Sequence, residues 1–403
     1  MKKRILIVTE YFYPEEFKIN DMALGWKERG YDVDILTLHP TYPHGKIFET
    51  YQNRWYSRDE YKGMRVYRLK SVTGYKESLF KKLLKYFSFM ILGSIVSLKI
   101  GKRYDYIFGF DIGALTGMLP AVLLKKFYNK KVTLWVQDIW PDSVYAYGFK
   151  KSRILEYFLN GFVKFIYKNT DSFAITGQGF EKRILPYINK NQEIRYIPNW
   201  ADDFNRKLEP FLFSEEKKID FTFAGNIGKM QNLDNVITAF GNLSKEYLNK
   251  AQLNIIGDGT ELDNLKQRVE DCNLQNIIFW GRQPKDKMYK YFQASDFLIV
   301  SLIDKPIFEL TVPAKVQTYI ASNKPILAIL KGDTVNIVKE NNLGYSAMPN
   351  NLDNIEKMFE KAIDTSQKEL KEFTHNCEEL TQNLFNKEKI ISNALDLLIK
   401  EKK

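Results

Sequence analysis

Short apolar, β-branched runs recur along the whole chain with helical patterns between them, and this alternation constrains the fold more than any other feature. Ile5–Val8, Val33–Leu38, Val66–Arg68, Tyr106–Gly109, Val132–Val136 and Phe173–Ile175 read as strands in the first half. Phe221–Ala224, Leu253–Ile256, Ile277–Phe279, Phe297–Val300 and Ile326–Leu330 repeat the scheme in the second. A strand that is apolar on consecutive residues must be covered on both faces, and the intervening helices supply the covers. The pattern therefore predicts an α/β protein with parallel sheets. A length of 403 residues suits two such domains. Ile194–Ile197 reads as the last strand of the first sheet, Pro198-Asn199-Trp200 turns out of it, and a polar stretch with Pro210 leads to a fresh strand at Phe221. The expected division is 1–199 for the first domain, 200–215 for a linker and 216–385 for the second domain. A C-terminal helix over 386–403 is expected to pack back on the first domain. Open parallel sheets bind ligands outside the carboxyl ends of their strands, so a central crevice is the expected site.

Lys and Arg number 60 against 49 acidic residues, a net charge of +11 that favours an anionic partner. The positive residues cluster on apolar helical segments rather than on a base-reading motif, so an anionic membrane surface is favoured and nucleic acid is not. Ser78–Arg103 holds an uncharged run, Tyr86–Leu98, flanked by Lys81, Lys82, Lys85, Lys99, Lys102 and Arg103. That run falls short of the roughly 20 residues that span a bilayer. It reads either as a buried core helix or as a helix lying in the membrane interface, its lysines reaching the phosphates. Lys150–Lys168 is a second basic, aromatic helix of the same kind. Cys272 and Cys377, and His39, His44 and His375, lack metal-ligand spacing, and no metal or other cofactor is expected. Asp32-Val33-Asp34 reads as a solvated strand start. The basic opening runs straight into Ile5–Val8 and breaks at Thr9-Glu10, which suits a strand better than a signal peptide. The expected location is cytoplasmic, peripheral on the inner face of the cell membrane.

The strongest chemical signal is Pro306–Leu327, PIFELTVPAKVQTYIASNKPIL. Thr311, Val312, Pro313 and Ala314 lead a polar loop into a helix whose free N–H groups offer a diphosphate seat, with Lys315 adding a full charge. Glu309 stands just upstream, placed to meet a sugar hydroxyl. Phe223–Leu233, FAGNIGKMQNL, follows the first strand of the second domain, and its Gly225 and Gly228 let backbone approach phosphate. Ile256–Thr260, IGDGT, and Phe279–Gln283, FWGRQ, follow the next two strands. In the first domain Glu10–Asp21, EYFYPEEFKIND, and Gln137–Ser143, QDIWPDS, leave strand ends.

These stretches, in this order and spacing, resemble the retaining GT-B glycosyltransferases of family 4, in the branch that builds bacterial surface polysaccharides such as O antigen and capsule. The resemblance implies two Rossmann-like, doubly wound parallel-sheet domains facing a central cleft. It implies transfer of a hexose-type sugar, favoured as a UDP-linked N-acetylated or deoxy-amino sugar, from a nucleotide sugar donor to a lipid-linked glycan acceptor. Glu309 matches the first Glu of the family's paired-Glu motif, while Gln317 stands where the second Glu binds ribose. Gly225, Gly228, Gly257, Asp258, Gly259, Arg282 and Gln283 fall on donor-binding turns. Asn226 and Gln231 or Asn232 replace the family's phosphate-clamping Arg and Lys, leaving Lys229 and Lys315 as the candidate cations. Asp138 is the candidate where many members place a His, and Glu15, Phe17, Asn20 and Gln137 fall on the acceptor side. The implied mechanism is same-face attack without an enzymic nucleophile and without a metal ion. A nucleotide-sugar epimerase of this architecture and an inactive membrane-tethered scaffold are the alternatives.

Overall fold

The computed structural model describes residues 2–400, apart from 76–77, 147–149, 151, 202–203 and 205–206. Parts of the expected linker and one lysine of the second basic helix thus lie outside the described residues. The chain divides into two compact units, Met1–Pro198 with Glu388–Lys403, and Asn199–Lys387.

The first unit is built on an eight-stranded sheet. Its strands are β1 (Arg4–Val8), β2 (Asp32–Leu38), β3 (Tyr56–Tyr61), β4 (Met64–Leu69), β5 (Tyr106–Asp111), β6 (Lys131–Val136), β7 (Ser172–Ile175) and β8 (Glu193–Tyr196), in the order β3-β4-β2-β1-β5-β6-β7-β8. Every pairing is parallel except β3 with β4. The antiparallel edge strand β3, YSRDEY, is an addition to the sequence reading. Its side chains alternate between exposed and half-buried, so it shows no apolar run. The second unit carries a six-stranded, wholly parallel sheet. Its strands are β9 (Ile219–Ala224), β10 (Ala251–Ile256), β11 (Ile277–Gly281), β12 (Phe297–Ser301), β13 (Ile326–Ile329) and β14 (Gly344–Ala347), ordered β11-β10-β9-β12-β13-β14. Strand β14, GYSA, is the other addition, half-buried for most of its length.

Two expectations are corrected in the first unit. Asp34 is not solvated: it is buried, ion-paired with Arg65 at 2.7 Å, and accepts a 2.6 Å hydrogen bond from the Tyr104 hydroxyl. The apolar segment after residue 78 forms one helix of 22 residues, Leu79–Ile100, longer than its uncharged run. By length and composition that helix is apolar enough to cross a membrane. One side of it is nevertheless packed into the unit, and that side is the less apolar one. Lys85, Phe89, Gly93, Ser97, Ile100 and Gly101 are buried, while Phe80, Leu84, Phe87, Ile91 and Ile95 are exposed. The small residues fix the contact: a Cβ on Gly93 would lie 2.8 Å from the Pro120 ring on the helix Leu119–Tyr128. Lys85 is therefore no lipid-facing lysine, and Ile91 is no core residue.

The terminal helix Lys387–Ile399 docks on the helix Lys18–Glu28 of the first unit. The Trp26 indole N–H donates to the Ile391 carbonyl at 3.0 Å, and Gly25 leaves room for the Ile391 side chain, which a Cβ would meet at 2.8 Å. Ile391 is fully buried. Removing a buried branched side chain costs its transfer energy and leaves a cavity, about 2–5 kcal/mol for Ile→Ala. In calorimetry Ile391→Ala should lower the melting transition of the first unit and leave that of the second in place. Two unmoved transitions would show that this helix does not stabilise the unit.

Candidate functional site

Parallel strands deliver their carboxyl ends to one edge of the sheet, and in the second unit the glycine turns gather there. The turns after β9, β10 and β11 continue the ladder beyond the strands. Gly225 N–H donates to the Ile256 carbonyl at 2.9 Å, Ile227 N–H to Asp258 at 2.9 Å, and Gly257 N–H to Gly281 at 2.9 Å. This spacing leaves no room for side chains. A Cβ on Gly257 would lie 1.8 Å from the Gly225 carbonyl oxygen, and one on Gly259 would lie 2.3 Å from that of Ile227. Gly257 also has φ +147°, which L side chains rarely adopt.

The turns wall a pocket of about 610 Å³ beside the β9/β12 switch point, where the strand order reverses. Gly225, Asn226, Gly257, Asp258, Gly259, Arg282, Gln283 and Lys315 all line it. Ala224, Ile256, Lys285, Met288, Phe292, Thr318 and Tyr319 complete the lining and were not singled out from sequence. Thr318 and Tyr319 sit one turn beyond Lys315, a spacing that could have found them. Met288 and Phe292 belong to the helix Met288–Ala294 and carry no local signal of their own.

Lys315 lies in the first turn of the helix Ala314–Ala321. Its ammonium sits 4.0 Å from the Phe223 ring centroid and donates to the Gln231 side-chain oxygen at 3.4 Å. Lys315 makes no ion pair among the described residues, and burial lowers its pKa to about 7. Lys229, the other candidate cation, is exposed and outside the pocket lining. Thr311, Val312, Pro313 and Ala314 form the approach to the helix without lining the pocket. The structure does not turn Gln317 towards the pocket. It is buried, and its amide N–H₂ donates at 3.0 Å to the carbonyls of both Pro313 and Ala314, which close the helix start. Gly228 caps the short turn Lys229–Gln231, and Glu309 ends the short helix Pro306–Glu309, half-buried. The Glu309 backbone packs against Gly332, where a Cβ would lie 1.9 Å from its carbonyl oxygen.

In the first unit the carboxyl ends of β1, β5 and β6 carry Glu10, Asp111 and Asp138. Lys85 reaches Glu10 at 3.5 Å and donates to the Tyr11 hydroxyl at 2.6 Å. Burial pushes the Glu10 carboxyl up to about 7, against the opposing pull of Lys85. Burial, then the charges of Asp138 and Glu10, push Asp111 well up. Asp138 is raised by burial and accepts a 2.9 Å hydrogen bond from Gly113 N–H. Sequence reasoning found Asp138 but not this cluster, because the three carboxylates stand at the ends of three different strands and share no motif. Of the acceptor-side candidates, Glu15 is buried and accepts from the N–H groups of Thr41 at 2.8 Å and Tyr42 at 2.7 Å. Asn20 caps the same loop, accepting from Tyr13 N–H at 3.1 Å, and Phe17 stacks on Tyr11. Gln137 N–H extends β6 by donating to the Asp111 carbonyl at 2.9 Å.

Sequence comparison agrees with this geometry. Residues 205–380 match the family model described as glycosyl transferases group 1. The chain is 30% identical over 253 residues to the probable glycosyltransferase WbjE of Pseudomonas aeruginosa. That match covers 59% of this chain and 62% of the relative, less than two thirds of its length. Solved structures share the fold. "Trehalose-6-phosphate from E. coli bound with UDP-2-fluoro glucose" superposes with a TM-score of 0.72 at 10% identity over 100% of both chains. WaaG, a glycosyltransferase involved in lipopolysaccharide biosynthesis, gives 0.64 at 11% identity over 99% of this chain and 100% of that one. The fold is GT-B.

The second unit thus presents a lysine whose pKa burial lowers to about 7 and which has no anion beside it among the described residues. A diphosphate entering the pocket favours the charged form, so binding above pH 7 takes up a proton. The sign follows: affinity is highest below about 7 and falls by up to about tenfold per pH unit above it, until the raised pKa of the complex is passed. Titration calorimetry with UDP-glucose across pH 6–9 checks this. Lys315→Met should bind more weakly at low pH and show a flat profile. A wild-type profile without slope would remove Lys315 from contact with the diphosphate.

Proposed function

We propose that the chain is a retaining glycosyltransferase that moves a hexose-type sugar from a nucleotide diphosphate to a lipid-linked or glycan acceptor in bacterial surface polysaccharide synthesis. The observation that carries this reading is the pocket of the second unit, which is walled by stacked glycine turns and holds an ammonium with no carboxylate beside it among the described residues, groups suited to a diphosphate. The UDP-2-fluoro glucose of the E. coli structure and the part of WaaG in lipopolysaccharide biosynthesis support a UDP-linked donor and a surface glycan. A UDP-linked N-acetylated or deoxy-amino sugar is the favoured donor.

In the proposed step the bond between the anomeric carbon and the diphosphate oxygen breaks, and the acceptor oxygen bonds to the same face of that carbon. The acceptor's proton passes to the leaving phosphate oxygen. Lys315 and Arg282 stabilise the charge growing on that oxygen, so that neither a metal ion nor another cofactor is required. Glu309 holds hydroxyls of the transferred sugar, and Asp138 is the candidate for a second contact with it. A carboxylate bonded to the reacting sugar is worth on the order of 10²–10³ in rate. With transfer assayed in EDTA, wild type should keep full activity and Glu309→Ala should lose it by that factor while still binding UDP. Transfer within threefold of wild type would remove Glu309 from the site, and loss of wild-type activity in EDTA would end the metal-independent mechanism.

The protein is further proposed to work on the inner face of the cell membrane. The helix Leu79–Ile100 hides its small and charged side and exposes its apolar stripe, the reverse of a soluble surface helix. The helix Arg153–Lys168 likewise exposes Ile154, Tyr157 and Phe158. Lysines and arginines border both stripes, among them Lys81, Lys99, Arg153 and Lys164. Each such cation contributes about 1 kcal/mol near an anionic surface, and salt screens it. Vesicle flotation at low salt should recover the protein with anionic lipid and far less with neutral lipid. Replacing Phe87 and Ile91 by Ser should abolish recovery without altering UDP binding. Equal recovery on both lipids would sink the electrostatic part, and recovery unchanged by the serines would sink the apolar part.

A further inference from the structure

Two tyrosines at the carboxyl edge of the first unit's sheet have a mounting that neither the core nor the proposed donor pocket requires. Tyr13 lies on the loop after β1 and Tyr42 on the loop after β2, with 43% and 45% of their surfaces open. Each is backed by other rings. Tyr13 stacks on Tyr61 with centroids 4.3 Å apart and planes at 26°. Tyr42 leans on Phe17 at 5.2 Å and on Tyr11 at 5.7 Å, and those two rings stack on each other at 5.0 Å.

The backbone beneath both rings is clamped. Tyr13 N–H donates to the Asn20 side chain at 3.1 Å, and its carbonyl accepts from the buried Arg68 guanidinium at 2.5 Å. Tyr42 N–H donates to the buried Glu15 carboxylate at 2.7 Å. The same carboxylate takes Thr41 N–H at 2.8 Å and Phe12 N–H at 3.3 Å, so one side chain bolts the two loops together. Burying a carboxylate to hold two surface loops makes sense when the loops must keep a shape.

We infer that Tyr13 and Tyr42 form a stacking platform for a pyranose ring of the acceptor glycan, which makes them specificity-determining residues. The inference rests on the proposed glycosyltransferase reading. A pyranose presents an apolar face of C–H groups with a hydroxyl rim. An exposed tyrosine matches both parts, since its ring takes the C–H face and its hydroxyl meets the rim. Rings already fixed by the neighbouring aromatics and by Glu15 lose little freedom on binding, so a weak contact is not cancelled by ordering. Glu15, Asn20 and Phe17 then act as positioning residues.

Saturation-transfer NMR on the full chain tests the platform. The probes are methyl β-D-glucopyranoside, methyl β-D-galactopyranoside, methyl N-acetyl-β-D-glucosaminide and cellobiose, with UDP present as an internal reporter of the second unit. Wild type should transfer saturation to the C–H face protons of at least one saccharide. Tyr13→Ala and Tyr42→Ala should each weaken that saccharide by about three- to tenfold, while Tyr42→Phe keeps most of its binding. UDP signals should be equal in all variants. UDP binding without any saccharide signal overturns the platform and leaves the donor pocket standing, as do saccharide signals unchanged in both alanine variants. Loss of UDP in the alanine variants shows that the rings stack a nucleobase, which also overturns it. Absence of UDP binding in wild type overturns the donor reading itself, and this inference with it.

Discussion

A parallel strand cannot pair with the next one until the chain has crossed back over the sheet. Each crossover buries a helix on a face and returns every strand in the same direction. That constraint shapes both units. In each unit the carboxyl ends gather along one edge of its own sheet, and that edge carries the candidate site groups described above. In the second unit it holds Gly225, Gly257, Gly259 and Lys315. In the first it holds Glu10, Asp111, Asp138 and the two clamped loops. The opposite edge carries structural charge of another kind, such as Asp34 bound to Arg65 and Tyr104.

The parts legible in the sequence are those where geometry permits few residue types. Strands buried on both faces have to be continuously apolar, so Ile5–Val8 and Phe297–Val300 were visible. The glycines at 257 and 259 were visible because a Cβ there would strike a neighbouring backbone carbonyl. Strands β3 and β14 were not, since an edge strand with one covered face at most keeps its polar residues. Lys85 was misplaced because a count of charges ignores helical phase. Positions 85, 89, 93 and 97 share one flank, and Gly93 with Ser97 marks that flank as the packed one. Gln317 was expected to face a ligand because a relative's residue does. Its amide instead donates to the carbonyls of Pro313 and Ala314 at the helix start.

Lys85 and Lys315 illustrate opposite solutions to one problem, an amine withdrawn from water. Lys85 lies within 3.5 Å of Glu10 and also over the rings of Tyr11 and Tyr75, so its surroundings supply the compensating charge. Lys315 has a ring and an amide oxygen and no carboxylate among the described residues, and burial lowers its pKa to about 7. A buried ammonium left without an anion opposes folding, most strongly below its native pKa, where it must carry its charge. For this lysine the cost is full below about 7 and is relieved as pH rises towards the ordinary lysine value of 10.5, the range in which the native chain binds fewer protons than the unfolded one. Such a cost is tolerable at a place that meets an anion from outside, and it has no purpose in a core.

The same reasoning reaches the helix Leu79–Ile100 from the other side. A helix in water gains most by burying its apolar stripe, and this one could do so by rotating about half a turn. Rotation is blocked by its own small residues. Gly93 and Gly101 let the helix approach Pro120 and Leu124 closely, and a Cβ at Gly101 would lie 2.2 Å from Leu124. Rotation would also tear Lys85 from Glu10 and expose a carboxyl whose surroundings are otherwise closed. The packing that fixes Glu10 at the carboxyl edge is therefore the packing that holds Phe87, Ile91 and Ile95 outward. If lipid covers those side chains, as proposed, then the membrane contact and the carboxyl cluster are two faces of one helix. A change in how the helix seats would be felt at Glu10.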